Sequence, residues 1–348
     1  MTDSRLVSPA ETEEERAAEA ILRPRRLDEF VGQPAIREQV QILIEAARAR
    51  GEPVDHVLLY GPPGLGKTTL AQIIAAEMGV QARLTSGPAL EHQGMLASIL
   101  TALEDRDVFF VDEIHRLNRA VEEALYPAME DLAFDFVAGK GAGAQTIRLS
   151  LKRFTVIGAT TRAGALGGPL RDRFGVTLRL DYYGEEELTA ILTRSARLLG
   201  VALDPDGARL LAERSRGTPR VANRLLRRAR DYAQVRAAGR IDAPVAGAAL
   251  EVLGVDGLGL DEMDRRVLGV LCGPLSGHPV GVRTIAVSVQ EETETIEDVV
   301  EPYLIRLGLV VRTPRGRLAT STAYRHLGRD APAHVPGGRS GQPDLWDR

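Results

Sequence analysis

A lysine–threonine pair closing a glycine-rich run offers the clearest chemistry in this sequence. Gly61-Pro62-Pro63-Gly64-Leu65-Gly66-Lys67-Thr68 has the spacing of a phosphate-binding loop, and Thr69 follows it. Glycines let the backbone curl until consecutive N–H groups point at phosphate oxygens, and a helix N-terminus behind the loop adds partial positive charge. Lys67 would reach the β- and γ-phosphates of a nucleoside triphosphate, and the Thr68 hydroxyl would ligate Mg²⁺. A chance glycine turn is the competing reading. Context speaks against it, because His56 to Tyr60 reads as a strand before the loop and Thr69 to Met78 as a helix after it. Gly61, Gly64, Leu65, Gly66, Lys67, Thr68 and Thr69 are therefore expected to bind nucleotide.

A second group of acids stands at Asp112-Glu113, 45 residues after Lys67. The apolar run Val108-Phe109-Phe110-Val111 ahead of them suits a strand buried on both faces, as in a parallel sheet. Open α/β sheets hold their ligands outside the carboxyl ends of the strands, where this pair would lie. Asp112 would orient Mg²⁺ through its water shell, and Glu113 would polarise an attacking water. An Asp-Glu pair by itself is a common surface feature; the strand and the upstream loop favour the functional reading. His115 has no His-x₃-His partner for a metal, so a polar or interface role is expected. Phe154 to Ala159 is another buried strand, ending in Thr160-Thr161-Arg162. A hydroxyl there could sense a γ-phosphate or hold the water, with a strand-end cap as the alternative.

These residues need elements to carry them. Ala35 to Arg50, Leu90 to Leu103 and Asn118 to Met129 have helical periods, while Val80 to Thr85 and Val176 to Leu180 read as strands. Alternation of strands and helices predicts an α/β fold with a parallel sheet covered on both faces. Phe134 to Leu151 reads as a hairpin with a glycine-rich tip. From Gly184 the texture changes to amphipathic helices (Glu185 to Leu199, Asp206 to Ser215, Val221 to Ala237) with no strand between them. Gly254 to Gly259 marks a further boundary. Beyond it, three short helices and two strands around Pro314 and Gly316 read as a winged helix-turn-helix. The expected domains are a flexible acidic arm (1–20), a large α/β domain (21–183), a small helical domain (184–255), a winged helix (256–330) and a flexible tail (331–348).

With 348 residues, 44% hydrophobic and 26% charged, the chain can bury two or three cores. No apolar run approaches the roughly 18 residues of a membrane span, and no basic-then-apolar leader opens it. A cytoplasmic protein without a membrane role is expected. The single cysteine, Cys272, excludes an internal disulfide or multi-cysteine zinc site and reads as core filling. The net charge of -4 does not announce a nucleic-acid binder, yet Tyr303 to Arg329 holds six arginines and no acid. Such a cluster on a wing suits DNA phosphates; a merely solvated face is the alternative.

The phosphate loop, Asp112-Glu113-Ile114-His115-Arg116-Leu117, Leu125 to Asp131, Gly158 to Gly164, Arg216-Gly217-Thr218-Pro219-Arg220 and Arg312 to Arg317 together resemble the AAA+ ATPases, and among them the RuvB family of bacterial branch-migration motors. The resemblance runs from about Ile21 to Leu327. It implies an AAA+ core with a helical lid and a winged helix, working as a homohexameric ring around duplex DNA beside a four-way junction. It implies ATP and ADP as ligands with Mg²⁺, and RuvA as a partner docking on the hairpin 134–151, with the RuvC resolvase in a larger complex. Adenine contacts are implied near Leu22, Arg23 and Tyr183, a γ-phosphate sensor at Thr161, and nucleotide contacts from the lid at Pro219 and Arg220. Arg173 corresponds to the arginine finger offered to a neighbouring subunit; Arg171 is the structural alternative, expected to pair with a nearby carboxylate. Arg312, Arg315 and Arg317 correspond to DNA contacts on the wing. Where relatives can carry a basic residue after Glu291-Glu292, this chain has Thr293-Glu294.

The nearest rival is another AAA+ machine, such as a clamp loader or a protein unfoldase. A winged C-terminal domain argues against the unfoldase. A nucleotide-gated DNA-binding switch that does no work is the rival from another class, and Glu113 with Arg173 favours a working motor over it.

Overall fold

The computed structural model describes residues 19–138 and 145–337. The chain divides into two compact units, Leu22–Tyr183 and the remainder. In Leu22–Tyr183, five strands form one parallel sheet: β1 (Val57–Tyr60), β2 (Ala82–Ser86), β3 (Val108–Asp112), β6 (Thr155–Thr160) and β7 (Val176–Arg179), in the order β2-β3-β6-β1-β7. The apolar runs of β1, β3 and β6 take the three central places, and all of Thr155–Thr160 is buried. The more polar β2 lies at an edge with Leu84 exposed. Parallel strands need crossovers, supplied here by α2 (Lys67–Met78), α3 (Gln93–Thr101) and α4 (Arg119–Glu130), while α1 (Pro34–Arg50) precedes β1. Phe109, Val111, Phe134, Phe154 and Phe174 share one core under the face bearing α3 and α4. Strands β4 (Ala133–Ala138) and β5 (Gln145–Ser150) pair antiparallel from Ala133↔Ser150 to Ala138↔Gln145. The glycine-rich tip expected between them lies outside the described residues, as does nearly all of the expected acidic arm.

The other unit contains α5 (Glu185–Leu198), α6 (Pro205–Glu213), α7 (Pro219–Arg236) and α8 (Ala243–Val252). The absence of strands expected here needs correction. Ala202–Leu203 (β8) and Arg240–Ile241 (β9) pair in parallel, and segments so short carry no readable alternation. The same unit continues with α9 (Glu262–Leu271), α10 (Val282–Val289), a helical stretch over 293–306 that is π-helical at Ile296–Val300, and the antiparallel pair β10 (Val310–Thr313) and β11 (Gly316–Ala319). Val280 bridges to Arg317 on the outer side of β11. This is a winged helix, closed over a core that includes Leu268, Ile285, Leu304 and Tyr324.

The flexible tail expected from residue 331 also needs correction. Val335 is buried in that core, Pro336 O accepts from Ser321 N at 2.9 Å, and His334 Nε2 meets Gly277 O at 2.8 Å. A single valine among prolines and glycines gives no periodic signal, so residues 331–337 read from sequence as tail although they pack as a strap. Residues 338–348 lie outside the described part. No helix among the described residues is long and apolar enough to cross a membrane.

His56, at the entry to β1, braces the sheet against α4. Its Nδ1 accepts from Val156 N at 2.9 Å, which leaves Nε2–H to donate to Met129 O at 3.2 Å. Burial holds its pKa below the usual 6.5, against a smaller opposite pull from Met129 O and Asp55. A base whose folded pKa is depressed contributes stability that is full above its unfolded value and is lost as pH falls below it. Thermal unfolding followed by circular dichroism should therefore show this unit losing stability as pH drops below 6.5. His56→Asn, which keeps an acceptor for Val156 N–H, should flatten that dependence; an unchanged slope in the variant would remove His56 as its origin.

Candidate nucleotide site and wing

Register brings the chemical residues together. Tyr60 stands beside Thr160 on one side and Arg179 on the other, and Val111 stands beside Gly158. The phosphate loop, Asp112-Glu113, Thr160-Thr161 and Leu180 thus emerge from adjacent carboxyl ends of one parallel sheet. That is where open α/β sheets hold ligands.

The loop itself is braced from below and from the side. Gly61 has φ 145°, and a Cβ there would lie 2.3 Å from Leu180 O, so no side chain fits without displacing β7. Gly66 has φ 97° and lies under the Phe30 ring, 3.3 Å from where its Cβ would be. Leu65 is fully buried and its carbonyl accepts from the Tyr183 hydroxyl at 3.1 Å. Lys67 Nζ is buried and donates to Gly61 O and Pro62 O, both at 2.8 Å. It is thereby pinned across the loop that it closes, and Gly64 is another left-handed residue of that curl. Thr68 and Thr69 open α2 behind it.

Thr68 Oγ1 lies 3.5 Å from Asp112 Oδ2, so the hydroxyl and the carboxylate expected to share a metal are neighbours. Among the described residues no cluster of three or more His, Cys, Asp or Glu could hold a metal by itself. The pair fits Mg²⁺, which keeps its waters and takes one or two protein oxygens plus phosphates. The other Asp112 oxygen accepts from Glu113 N at 2.9 Å. Glu113 is left-handed at φ 47°, a rare conformation for a side-chain-bearing residue, and its carboxylate accepts from Arg116 at 3.1 Å.

Thr160 and Thr161 separate clearly. The Thr160 side chain is buried, shares a 2.9 Å hydrogen bond with His115 Nδ1, and accepts from Arg162 N at 3.0 Å. Its hydroxyl is committed to bracing the strand end, which also gives His115 a polar structural role. Thr161 stands one residue further out and is half-buried. Leu22 and Tyr183 are buried and Arg23 is half-buried. Pro219 and Arg220 belong to the other unit, at the start of α7, where Thr218 caps the helix and Arg220 Nε lies 3.8 Å from Glu19.

The pairing expected of the two neighbouring arginines is reversed. Arg171 is exposed and has no ion pair among the described residues, whereas Arg173 donates to Glu130 at 3.1 Å and to Pro169 O at 2.5 Å. The Arg173 guanidinium also stacks 4.2 Å over the Tyr126 ring. Burial together with the Glu122 carboxylate pushes the Tyr126 hydroxyl up to about 12, so the ring stays neutral. Nε of Arg173 has no hydrogen-bond partner despite its burial. The cradle orients this arginine without using all of its donors.

On the wing, the acid-free arginine cluster of the sequence is not acid-free in space. Arg317 donates to Glu301 at 2.8 and 3.0 Å and to Glu297 at 2.9 Å, and its side chain is only 13% exposed. These ion pairs engage the charge of Arg317, expected at the DNA, in holding β11 to the preceding helix. Glu301, 3% exposed, also takes Arg312 at 2.7 Å, although the Arg312 side chain remains 58% exposed. Arg315, at the turn, is exposed. Glu297 and Glu301 lie just upstream of the arginine run, so a window starting at Tyr303 misses both. The sequence assigned no role to Phe30, nor to Tyr126 and Glu130 within the Leu125 to Asp131 motif.

Comparison with known proteins agrees with this geometry along most of the chain. The family model for the Holliday junction DNA helicase RuvB P-loop domain matches residues 22–180, that for the RuvB AAA lid domain 183–256, and that for the RuvB C-terminal winged helix domain 257–328. The solved RuvB Holliday junction branch migration motor of Thermotoga maritima is 48% identical, covering 90% of this chain and 100% of its own, with a TM-score of 0.82. Two mutant forms of the Thermotoga maritima RuvB are also 48% identical, over 89% of this chain and 99% of theirs, with TM-scores of 0.83. A single compatible match thus covers sheet, lid and wing, and the chain belongs to the RuvB family of Holliday-junction branch-migration ATPases.

Proposed function

We propose that this chain is an ATP-driven motor that pumps duplex DNA to move four-way junctions. The observation that carries the reading is the convergence of Lys67, Thr68 and Asp112 at adjacent strand ends in a chain of this family. Gly61, Gly64, Leu65, Gly66, Lys67, Thr68 and Thr69 hold the phosphates, while Leu22, Arg23 and Tyr183 flank the base. Glu113 accepts the proton of the attacking water, and Thr161 positions that water against the γ-phosphate. Mg²⁺, held by Thr68 and through water by Asp112, would neutralise charge building on the β- and γ-phosphate oxygens. Arg220, following Pro219, would reach the nucleotide from the helical domain, and Arg173 would reach that of a neighbouring subunit in a hexameric ring. Departure of the γ-phosphate would then turn a lid bearing Arg220 against a sheet bearing Lys67. The hairpin 134–151 would dock on RuvA, and RuvC would join the larger complex. A wing that grips phosphates through Arg315 and Arg312 reads no sequence, as a motor passing any sequence requires. A strand-separation assay on a synthetic four-way junction with ATP, with and without RuvA, tests the whole reading; ATP turnover with no strand separation in either condition would overturn it.

Glu113→Gln should keep ATP bound and slow its hydrolysis about 10²–10⁴-fold, the usual worth of a positioned base. Equal turnover in variant and wild type would remove Glu113 from the reaction. Arg173→Ala should also bind ATP but lose about 10³–10⁵ in turnover, whereas Arg171→Ala should not. Mixed with Lys67→Ala, it should recover part of its ATPase activity, because some interfaces then pair an intact loop with an intact finger. No recovery in rings shown to be mixed would place Arg173 within its own subunit.

The wing arginines should part company. Arg315→Ala should weaken duplex binding about equally on any sequence and lower the salt slope by roughly one unit. Arg317→Ala should instead cost about 1–3 kcal/mol of stability, by leaving the buried Glu301 under-satisfied. Salt titration of duplex affinity and thermal unfolding of both variants decide this; a reversed pattern would restore Arg317 as the phosphate contact.

A further inference from the structure

The loop Arg214 to Thr218 carries a second buried arginine that the nucleotide chemistry does not use. Arg216 is 5% exposed and has φ 55°, followed by Gly217 at 72°. Two left-handed residues in succession turn its side chain away from α7. The guanidinium enters the base of the winged helix. It donates to Asp264 at 2.6 Å, lies 3.0 Å from Asp261, and donates to Gly259 O at 2.9 Å. It also stacks 5.1 Å over Tyr303, whose hydroxyl donates to Leu258 O at 2.6 Å. In return, Arg306 donates to the Arg216 carbonyl at 3.1 Å. Asp264 is completely buried and forms a capping box with Asp261 at the start of α9. Burial raises the Asp264 pKa, and the charge of Arg216 opposes that rise.

Every partner of this arginine lies at residues 258–306, in the winged helix or the link into it, whereas its own backbone leads within two residues into the cap of α7. Gly259 tightens the joint, since a Cβ there would come within 2.9 Å of Arg214 O. We propose that Arg216 is a positioning residue that clamps the nucleotide-sensing loop of the lid to the winged helix, so that the two move as one body and ATP turnover is converted into DNA movement. The conversion rests on the motor reading above; the clamp itself does not. In that arrangement Arg220 answers to the nucleotide, and Arg216, on the same short loop, answers to the DNA-binding domain. Without the clamp, the link Gly254 to Gly259 alone would have to carry the rotation.

The test uses the full-length chain with spin labels at Val235→Cys on α7 and Val287→Cys on α10, both exposed positions. The native Cys272 is buried, and burial pushes its thiol up to about 11, so it labels slowly. The label-to-label distance should be narrowly distributed and equal with ADP and with a non-hydrolysable ATP analogue. Arg216→Gln should broaden it, leave ATP hydrolysis without DNA within about twofold, and cut junction strands separated per ATP about tenfold, an ordinary size for coupling between sites. Asp264→Asn, which cuts the clamp from the winged-helix side, should reproduce the pattern and carries the test if Arg216→Gln does not fold. A purely structural role would lower turnover and strand separation in parallel. That outcome, or an unbroadened distance in both variants, would overturn the clamp. Wild-type protein that hydrolyses ATP without separating strands would overturn the motor reading instead, and the distance measurement would still decide the clamp.

Discussion

The contact between Gly61 and the Leu180 carbonyl is the constraint on which the nucleotide site depends. There is no room for a single carbon atom between them, because β1 lies between β6 and β7 and the loop must leave the sheet through that gap. Gly61 N donates to Thr160 O and Leu180 N to Tyr60 O, so the root of the loop is bonded to both neighbouring strands. The chain after Leu180 returns to the loop through Tyr183, whose hydroxyl donates to Leu65 O. Root and crest are therefore tied to the same segment. A loop held this way presents its N–H groups to phosphate with little conformational entropy left to lose, which is the physical content of preorganisation.

Arginine chemistry in this chain is decided by the partner, not by the residue. Lysine is scarce, and guanidinium carries nearly all positive charge. Some of these side chains are fully neutralised structural ties, such as Arg317 on Glu301 and Glu297, or Arg216 on Asp261 and Asp264. Others are left with unspent donors: Arg173 has an orphan Nε inside its cradle, and Arg315 projects from the wing turn. The exposed Arg312 lies between the two classes, since it shares Glu301. The same planar fork that makes arginine suitable for phosphate makes it suitable for buried carboxylates, so residue type alone cannot sort them.

That explains what the sequence disclosed and what it withheld. The phosphate loop, the apolar run before Asp112-Glu113 and the strand before Thr160-Thr161 are local patterns, and local patterns survive folding intact. The parallel sheet followed from their alternation with helices. What stayed hidden depends on pairs distant in the chain: His115 with Thr160, Phe30 with Gly66, Glu130 with Arg173, Glu301 with Arg317. Only in one case was a signal within reach. Glu301 and Glu297 stand only two and six residues before Tyr303, so counting charges along the whole helix rather than from Tyr303 onward would have found the acids. Val335 and the two-residue strands Ala202–Leu203 and Arg240–Ile241 offer too few residues for any period to show.

Glu113, the carboxylate proposed as the base, shows how such distant pairs would serve local chemistry. A left-handed backbone at Glu113 is unfavourable by about 1–2 kcal/mol and persists only where its surroundings over-determine it. The Asp112 side chain fixes the Glu113 N–H, and the turn that follows carries His115, anchored on Thr160 of the neighbouring strand. The backbone on both sides of Glu113 is thus held by the ends of two neighbouring strands. Its carboxylate is tethered more weakly, because the Arg116 ion pair is exposed on both sides and such pairs contribute little in water. A rigid backbone with a loosely held carboxylate suits a group that must exchange an arginine for a water. Thr160 positions the turn that follows Glu113, and the commitment of its hydroxyl to His115 and Arg162 favours the proposal that Thr161 is the sensor.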